Sequence, residues 1–230
     1  MGTVVATQPQ VIEDTARQDA AYLARHPYVV RLGGWTLDDY LRAAPESRRW
    51  EFAYGEVLMY SPASAEHQDR VWFLAYLLFS WMQKQKWPGK LLLAPAAVQL
   101  AEDLIREPDI SVFRPEDAPK VTGVPVKALP LLVVEVTSPS TRTVDLVEKA
   151  QEYASVGIPE YWVVDLPRKR FVGHALEAGR YRVSQLPRGR WVSAVLPDFW
   201  LDVAWLWQQP LPDVQKCLQE ILGTRSTPTD

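Results

Sequence analysis

The sequence predicts an α/β domain with a central mixed β-sheet flanked by helices. Three observations carry that prediction. Residues 65–86 place Val71, Leu74, Leu77, Leu78, Trp81 and Met82 at spacings of three and four, the period of a helix buried along one face. Two short apolar runs, 131–136 and 161–165, have the composition of strands covered on both faces. A second helical segment, 144–156, lies between those runs, so helices and strands alternate along the chain rather than segregating.

Residues 1–34 are polar and mixed, with helical character over 13–25, and read as an N-terminal arm. Thr36 followed three residues later by Asp39 resembles an N-cap with an acid in the first turn; it opens a short helix over 37–43 that Pro45 closes. The folded domain is expected over 35–200. Residues 49–53 and 56–60 read as a hairpin around Tyr54 and Gly55, ended by Ser61 and Pro62. Pro88 and Gly89 stop the long helix, and strand-like runs follow at 91–100 and 109–113. Gly157 is the expected C-terminal glycine of the second helix. Residues 168–175, 181–186 and 191–196 read as a closing meander, and 201–230 as a helical tail. No internal repeat is present at solenoid periods.

Of 230 residues, 47% are hydrophobic and 23% charged, enough for one full core or two small ones and too apolar for disorder of the bulk. Twenty-five Lys and Arg against 28 Asp and Glu give a formal charge of -3, which excludes nucleic-acid binding by gross charge and leaves only a local patch. The longest apolar stretch, 71–82, is short of the ~20 residues that span a bilayer, so no membrane anchor is expected. The amino terminus lacks the basic start and apolar run of a secretory signal, so a cytoplasmic location is expected. Cys217 is the only cysteine, which excludes an internal disulfide and a multi-thiolate zinc site, and His26, His67 and His174 are scattered. A metal bound here would have mainly oxygen ligands, which favours magnesium, manganese or calcium.

Two acids stand out. Asp109 heads the strand-like run 109–113, and Glu135 lies inside the apolar run 131–136. An ionised carboxylate in an apolar strand is costly unless paired, hydrogen-bonded or metal-bound, and nothing in its own strand offers Glu135 a cation. If the two strands are neighbours, Asp109, Glu135 and the main-chain carbonyl of Val136 could converge on one hard cation; the alternative is a structural acid hydrogen-bonded at a strand end. Asp145, Lys149 and Tyr153 recur at intervals of four on one face of the following helix, a spacing that equally describes a surface salt bridge. The turn Ser138 to Thr141 returns the chain from Glu135 straight into that helix, so its first turns lie near the carboxylates, where a lysine could hold a phosphate or a developing oxyanion.

The ordered motifs Glu107-Pro108-Asp109, the run 132–141 from Leu132 to Thr141, then Asp145, Lys149 and Tyr153, then 157–165 from Gly157 to Asp165, resemble the Uma-type restriction endonuclease family of the PD-(D/E)xK superfamily. Trp50-Glu51, Gly55-Glu56, Ser61-Pro62 and His67-Gln68 extend the resemblance to about residues 35–200. It implies a restriction-endonuclease-like core of order α-β-β-β-α-β and a magnesium-dependent phosphodiesterase site, with manganese as a substitute. Asp109 and Glu135 would be the metal-binding acids, and Lys149 a lysine displaced from strand to helix, because the usual position two after the glutamate holds Thr137. The family's Asp-Gly-Glu turn reads Tyr54-Gly55-Glu56, which leaves Glu56 as an accessory metal or water ligand or a solvated strand residue. His67 stands where the family often has a histidine and reads as a general base or a packed helix-start histidine.

The stretch 168–190 holds seven bases, Arg168, Lys169, Arg170, Arg180, Arg182, Arg188 and Arg190, against Glu177 alone. It reads as a DNA phosphate-contact patch, or as a solvated hairpin or subunit interface. Tyr161, Trp162 and the other tryptophans read as core rather than base-stacking platforms. The expected activity is magnesium-assisted hydrolysis of a DNA phosphodiester. A catalytically silent nuclease fold used for nucleic-acid or protein binding is the main alternative; a carboxylate-pair glycosidase fits less well, because it gives Lys149 no role. A homodimer would suit a nuclease that cuts both strands.

Overall fold

The computed structural model describes residues 28–44 and 49–223, so the helix expected at 13–25 and the stop at Pro45 lie outside the described residues. Two sheets form the body. Strand β1 (Val29–Gly33) is followed by helix α1 (Leu37–Ala43) and the hairpin β2 (Trp50–Ala53) and β3 (Glu56–Tyr60). Thr36 caps α1 as expected: its hydroxyl accepts from Asp39 N, and the Asp39 carboxylate accepts from Thr36 N, both at 3.1 Å. The hairpin turns on Tyr54 and Gly55 at φ +53° and +83°, the two positive angles of a type I′ turn that an L residue followed by glycine accommodates.

Helix α2 (Ala65–Lys84) buries all six apolar residues picked out by their period. It is followed by β4 (Lys90–Leu93), β5 (Val98–Ala101), β6 (Leu104–Arg106) and β7 (Ile110–Phe113), then by β8 (Leu132–Val136). A wide π turn over Val144–Glu148 leads into α3 (Lys149–Ser155), which stops before Gly157 at φ +83°. Next come β9 (Glu160–Asp165), β10 (Arg170–Glu177), β11 (Arg180–Leu186), β12 (Arg190–Val192), β13 (Trp200–Asp202) and α4 (Val214–Gly223). One sheet is antiparallel with order β1-β3-β2-β6-β5; the other is mixed, β11-β10-β9-β8-β7-β4, and only its β8–β9 pair is parallel. The expected α-β-β-β-α-β order is present as α2, β4, β7, β8, α3, β9, with the β5–β6 hairpin inserted into the antiparallel sheet. Among the described residues no helix is long and apolar enough to cross a membrane.

Several boundaries differ from those expected. The single strand predicted at 91–100 is two strands in different sheets, because Pro95 has no N–H with which to continue a ladder. Of the run 191–196 only β12 is strand, and it pairs with β13 in a separate two-stranded sheet. Residues 29–33, expected in the arm, form an edge strand. Cys217, Leu218 and Ile221, expected in the tail, are buried in the main core against α2.

The period-2 alternation of the strands sets which side chains meet. Ile110, Val112, Leu132, Val134, Val136, Trp162 and Val164 face α2. Phe113, Val133, Val163 and Val172 face the other way, toward α3 and the antiparallel sheet, whose Ala53, Leu58 and Leu104 face back. Counting by two along each strand, Glu51 shares a face with Ala53, Arg106 with Leu104 and Glu135 with Val133. Three charged side chains from three strands are thereby aimed into the same interface.

The meander is locked by aromatic packing. A Cβ added to Gly173 would lie 2.5 Å from the ring of Trp191, whose indole N–H is held by Glu160 Oε1 at 2.8 Å. Gly173→Ala is expected to destabilise the fold by about 1–3 kcal/mol, read from urea denaturation.

Candidate active site

Asp109 lies immediately before β7 and Glu135 in β8, and antiparallel pairing of these neighbours brings their carboxylates to the same end of the mixed sheet. Both are buried. Arg49, just ahead of β2, bridges them: Nη1 donates to Asp109 Oδ1 at 2.9 Å, and Nη2 to Glu135 Oε2 at 3.0 Å and to the Glu107 carbonyl at 2.9 Å. Asp109 Oδ2 accepts from Val136 N at 2.7 Å and lies 3.2 Å from His67 Nε2 at the start of α2. Burial raises the Asp109 carboxyl, but Arg49, His67 and the Val136 N–H outweigh it and hold the group below the usual carboxylate range.

Glu135 Oε1 faces the other cation. Lys149 Nζ donates to it at 2.7 Å and lies 2.9 Å from Glu51 Oε1 and 3.4 Å from Asp145 Oδ1, and Tyr153 Oη donates to the same Glu135 oxygen at 3.2 Å. The face shared by Asp145, Lys149 and Tyr153 therefore points inward. Burial pushes Glu135 up to about 7, further than Lys149 and Arg49 bring it down, with Asp109 adding repulsion. Lys149 is itself 0% exposed; burial favours its neutral form, yet Glu135 and Glu51 hold it protonated. Glu51 also accepts from Arg106 Nη1 at 2.9 Å, from Glu107 N at 3.0 Å and from Tyr60 Oη, while Arg106 forks onto Glu152. Glu107 is pushed up to about 8 by burial and by Glu51.

The expected residues divide clearly. Asp109, Glu135, Val136, His67, Lys149, Asp145 and Tyr153 come together. Glu56 does not: it is partly exposed and paired with Arg31, 3.3 Å away, on the far strand of the hairpin. The buried acid of that hairpin is Glu51. Lys149 does not reach outward for a phosphate, because its three N–H groups face three carboxylates. His67 bonds a carboxylate rather than a main-chain carbonyl. The basic stretch is split by topology: the register Arg170↔Asp165 and Glu177↔Arg180 keeps Arg168, Lys169 and Arg170 at the site end of the sheet and sends Arg180 and Arg182 to the opposite end. Arg170 pairs with Asp165, Arg182 with Glu177, and Arg190 covers the Trp200 ring.

Arg49, Glu51, Arg106 and Glu152 were not assigned to the site from sequence. The available signal was a charge inside an apolar strand, as at Glu135: Glu51 sits between Trp50 and Phe52, and Arg106 follows Leu104 and Ile105. A cleft opens beside the cluster as two adjoining cavities of about 290 and 730 Å³, both lined by Arg49, Tyr60 and His67. The Arg49 side chain is 22% exposed and is the cation of the cluster that a substrate there meets first.

Among the described residues no three His, Cys, Asp or Glu side chains form a ready-made metal cage. Magnesium does not require one; it is commonly held by one or two carboxylates, with waters and substrate phosphate completing its shell. Asp109 and Glu135 face each other across a position filled by a guanidinium, an internal stand-in for a cation. The donor set fits a small hard dication, in exchange for Arg49.

The core order and the two acids on adjoining strands define a restriction-endonuclease-like α/β protein. The sequence profile of Uma2, described as a putative restriction endonuclease, matches residues 37–204, and the chain belongs to that family. A solved structure of a putative nuclease belonging to DUF820 from Anabaena variabilis shares the fold, with a TM-score of 0.62 at 17% identity over 75% of this chain and 97% of that one. None of the curated proteins compared with the chain matches it.

Truncating Glu51 would leave Lys149 and Arg106 buried without that carboxylate. Glu51→Ala is expected to cost about 3–5 kcal/mol in urea denaturation, whereas Glu56→Ala, at a partly exposed pair, should cost under about 1 kcal/mol.

Proposed function

We propose that the chain is a magnesium-dependent endodeoxyribonuclease, acting in the cytoplasm, that hydrolyses DNA phosphodiesters in the cleft beside Asp109 and Glu135. The observation that carries this reading is the pair of buried carboxylates on neighbouring strands, bridged by Arg49, which with Asp109 lines a cleft at the end of the sheet. Membership of the Uma2 family supports it.

Asp109 and Glu135 would hold magnesium, or manganese, with the Val136 carbonyl. The chemistry such an ion supplies is a lowered pKa for a bound water and neutralisation of charge on the phosphate. The chain's own residues do the positioning. Val136 N–H and His67 fix the Asp109 carboxylate, and Lys149, anchored by Glu51, fixes Glu135. Lys149, buried against these carboxylates, would on this reading act through Glu135 rather than by touching the phosphate itself. Asp109 and Glu135 would hold such an ion with the oxygens that now accept from Arg49, and the guanidinium, if released toward the cleft it lines, would be suited to a bidentate phosphate contact. Arg168 and Lys169, at the same end of the sheet, are the better candidates for flanking phosphates; Arg180 and Arg182 would need DNA to cross the whole sheet.

A second reading has one observation in its favour: all four oxygens of Asp109 and Glu135 already have protein donors, which a metal-free binding module would retain. Cleavage of supercoiled plasmid and single-stranded DNA with and without magnesium or manganese separates the two. Asp109→Asn and Glu135→Gln are expected to lower metal-dependent cleavage by roughly 100-fold or more. DNA bound equally well with and without metal, and never cut, would favour the binding module.

Removing Arg49 removes the internal competitor and leaves the two carboxylates facing each other without their shared cation. Arg49→Ala is expected to melt at a lower temperature than wild type without metal, and to gain more in melting temperature on adding manganese. Equal gains in the two proteins would contradict the exchange.

A further inference from the structure

Helix α2 is buried on every side but one. Its outward stripe runs Asp69, Trp72, Tyr76, Phe79, Gln83 and, just past the helix end, Lys86. The five positions within the helix alternate strictly by three and four, the 3.5-residue repeat of a helix-pairing seam. The centre of the stripe is aromatic where a solvated stripe would be charged: Trp72 is 64% exposed, Tyr76 49% and Phe79 48%. The charges lie at its two ends and differ in sign. Asp69 and Glu66, the latter paired with Arg70 of the same helix at 3.3 Å, occupy the N-terminal end, and Lys84 and Lys86 the C-terminal end.

We propose that this face docks a second copy of the chain, with the two α2 helices antiparallel about a two-fold axis near Tyr76. That rotation sets Trp72 of each copy against Phe79 of the other, the Tyr76 side chains together at the axis, and the acids at each N-terminal end against the lysines at the other copy's C-terminal end. A parallel pair would set acid on acid and lysine on lysine, so the charge pattern selects the antiparallel arrangement. Three half-exposed rings offer on the order of 300 Å² per copy, or about 600 Å² for the pair, as an aromatic centre. The rest of the ~30 Å helix face, with α4 alongside it, supplies a polar rim toward the ~1,200 Å² at which specific interfaces begin. Gln215 of α4 already donates to Tyr76 Oη at 3.1 Å and would border the contact. An isologous interface needs a patch that complements itself, and the order of aromatic residues and end charges along this one is self-complementary. The proposal is independent of the nuclease reading.

Sedimentation velocity of the full chain over a wide concentration range should show a species of twice 26.2 kDa. Trp72→Glu and Phe79→Glu should each weaken it by roughly 30-fold or more, with unchanged far-ultraviolet circular dichroism. Asp69→Lys alone and Lys84→Asp alone should each weaken it, and the double substitution should restore it, because the exchange re-pairs opposite charges only across an antiparallel seam. A wild-type monomer at all concentrations would overturn the proposal, as would a dimer indifferent to Trp72→Glu and Phe79→Glu. A dimer that the charge exchange fails to restore would overturn the antiparallel arrangement.

Discussion

A buried lysine ammonium holds together the arrangement on which everything else depends. Lys149 reaches Glu135 from the mixed sheet, Glu51 from the antiparallel sheet and Asp145 from the turn that precedes its own helix. Through Glu51 the contact passes to Arg106 and then to Glu152, and through Glu135 it passes to Arg49, Asp109 and His67. The two sheets and α3 are therefore joined by alternating charges as well as by apolar packing. Such a network is an inefficient way to stabilise a fold. Apolar residues of similar volume often do as well or better, while loss of one partner leaves a charge stranded. Its presence in the middle of a core is what the proposed site would require, because it holds two carboxylates in place at one end of the mixed sheet.

The geometry follows from period-2 strands and one crossing of the chain. Arg106 ends β6 in the antiparallel sheet and Asp109 precedes β7 in the mixed one, so the short Glu107-Pro108 link carries the chain between the sheets beside the site. The β8–α3–β9 unit does the rest: its parallel strands require a crossover, and the crossover helix must start close to the end of β8. That places Lys149 within 2.7 Å of Glu135 although 14 residues separate them.

This logic separates what the sequence made legible from what it hid. Asp109 and Glu135 stand out as carboxylates at the head of, or inside, apolar strands, and Lys149 because the turn Ser138 to Thr141 brings its helix straight back beside Glu135. The burial of Lys149 could not be read, since it depends on Glu51 and Asp145 lying 2.9 and 3.4 Å from its ammonium. Arg49 reaches Glu135 across 86 residues, and Arg106 reaches Glu51 and Glu152 across 55 and 46, separations at which one sequence carries no pairing signal. Strands β6 and β13, of three residues each, are too short for alternation to register, and the apolar composition of 91–100 concealed a break that Pro95 alone announced. The divided basic stretch shows the same limit: a hairpin carries Arg180 and Arg182 to the other end of a sheet from Arg168, Lys169 and Arg170, their neighbours in sequence.

Burial of an acid does not by itself mark a functional site, and this chain contains the control. Glu160 is as buried as Glu135 and also lies in a central strand. Its oxygens accept from the indoles of Trp162 and Trp191, the hydroxyl of Ser193 and the N–H of Ala194, all neutral donors. Three of those donors come from the segment around β12, so Glu160 pins that segment to the sheet, and a dication would have no cation to replace there. Glu135 is held instead by two cations and a tyrosine, and one of those cations reaches the wall of a cleft. A carboxylate satisfied by neutral hydrogen bonds is fixed by structure; one satisfied by a positive charge at the wall of a cleft is the kind that could exchange that charge for another. It is the kind of partner, more than the depth of burial, that separates the acid that builds this protein from the acids with which it could act.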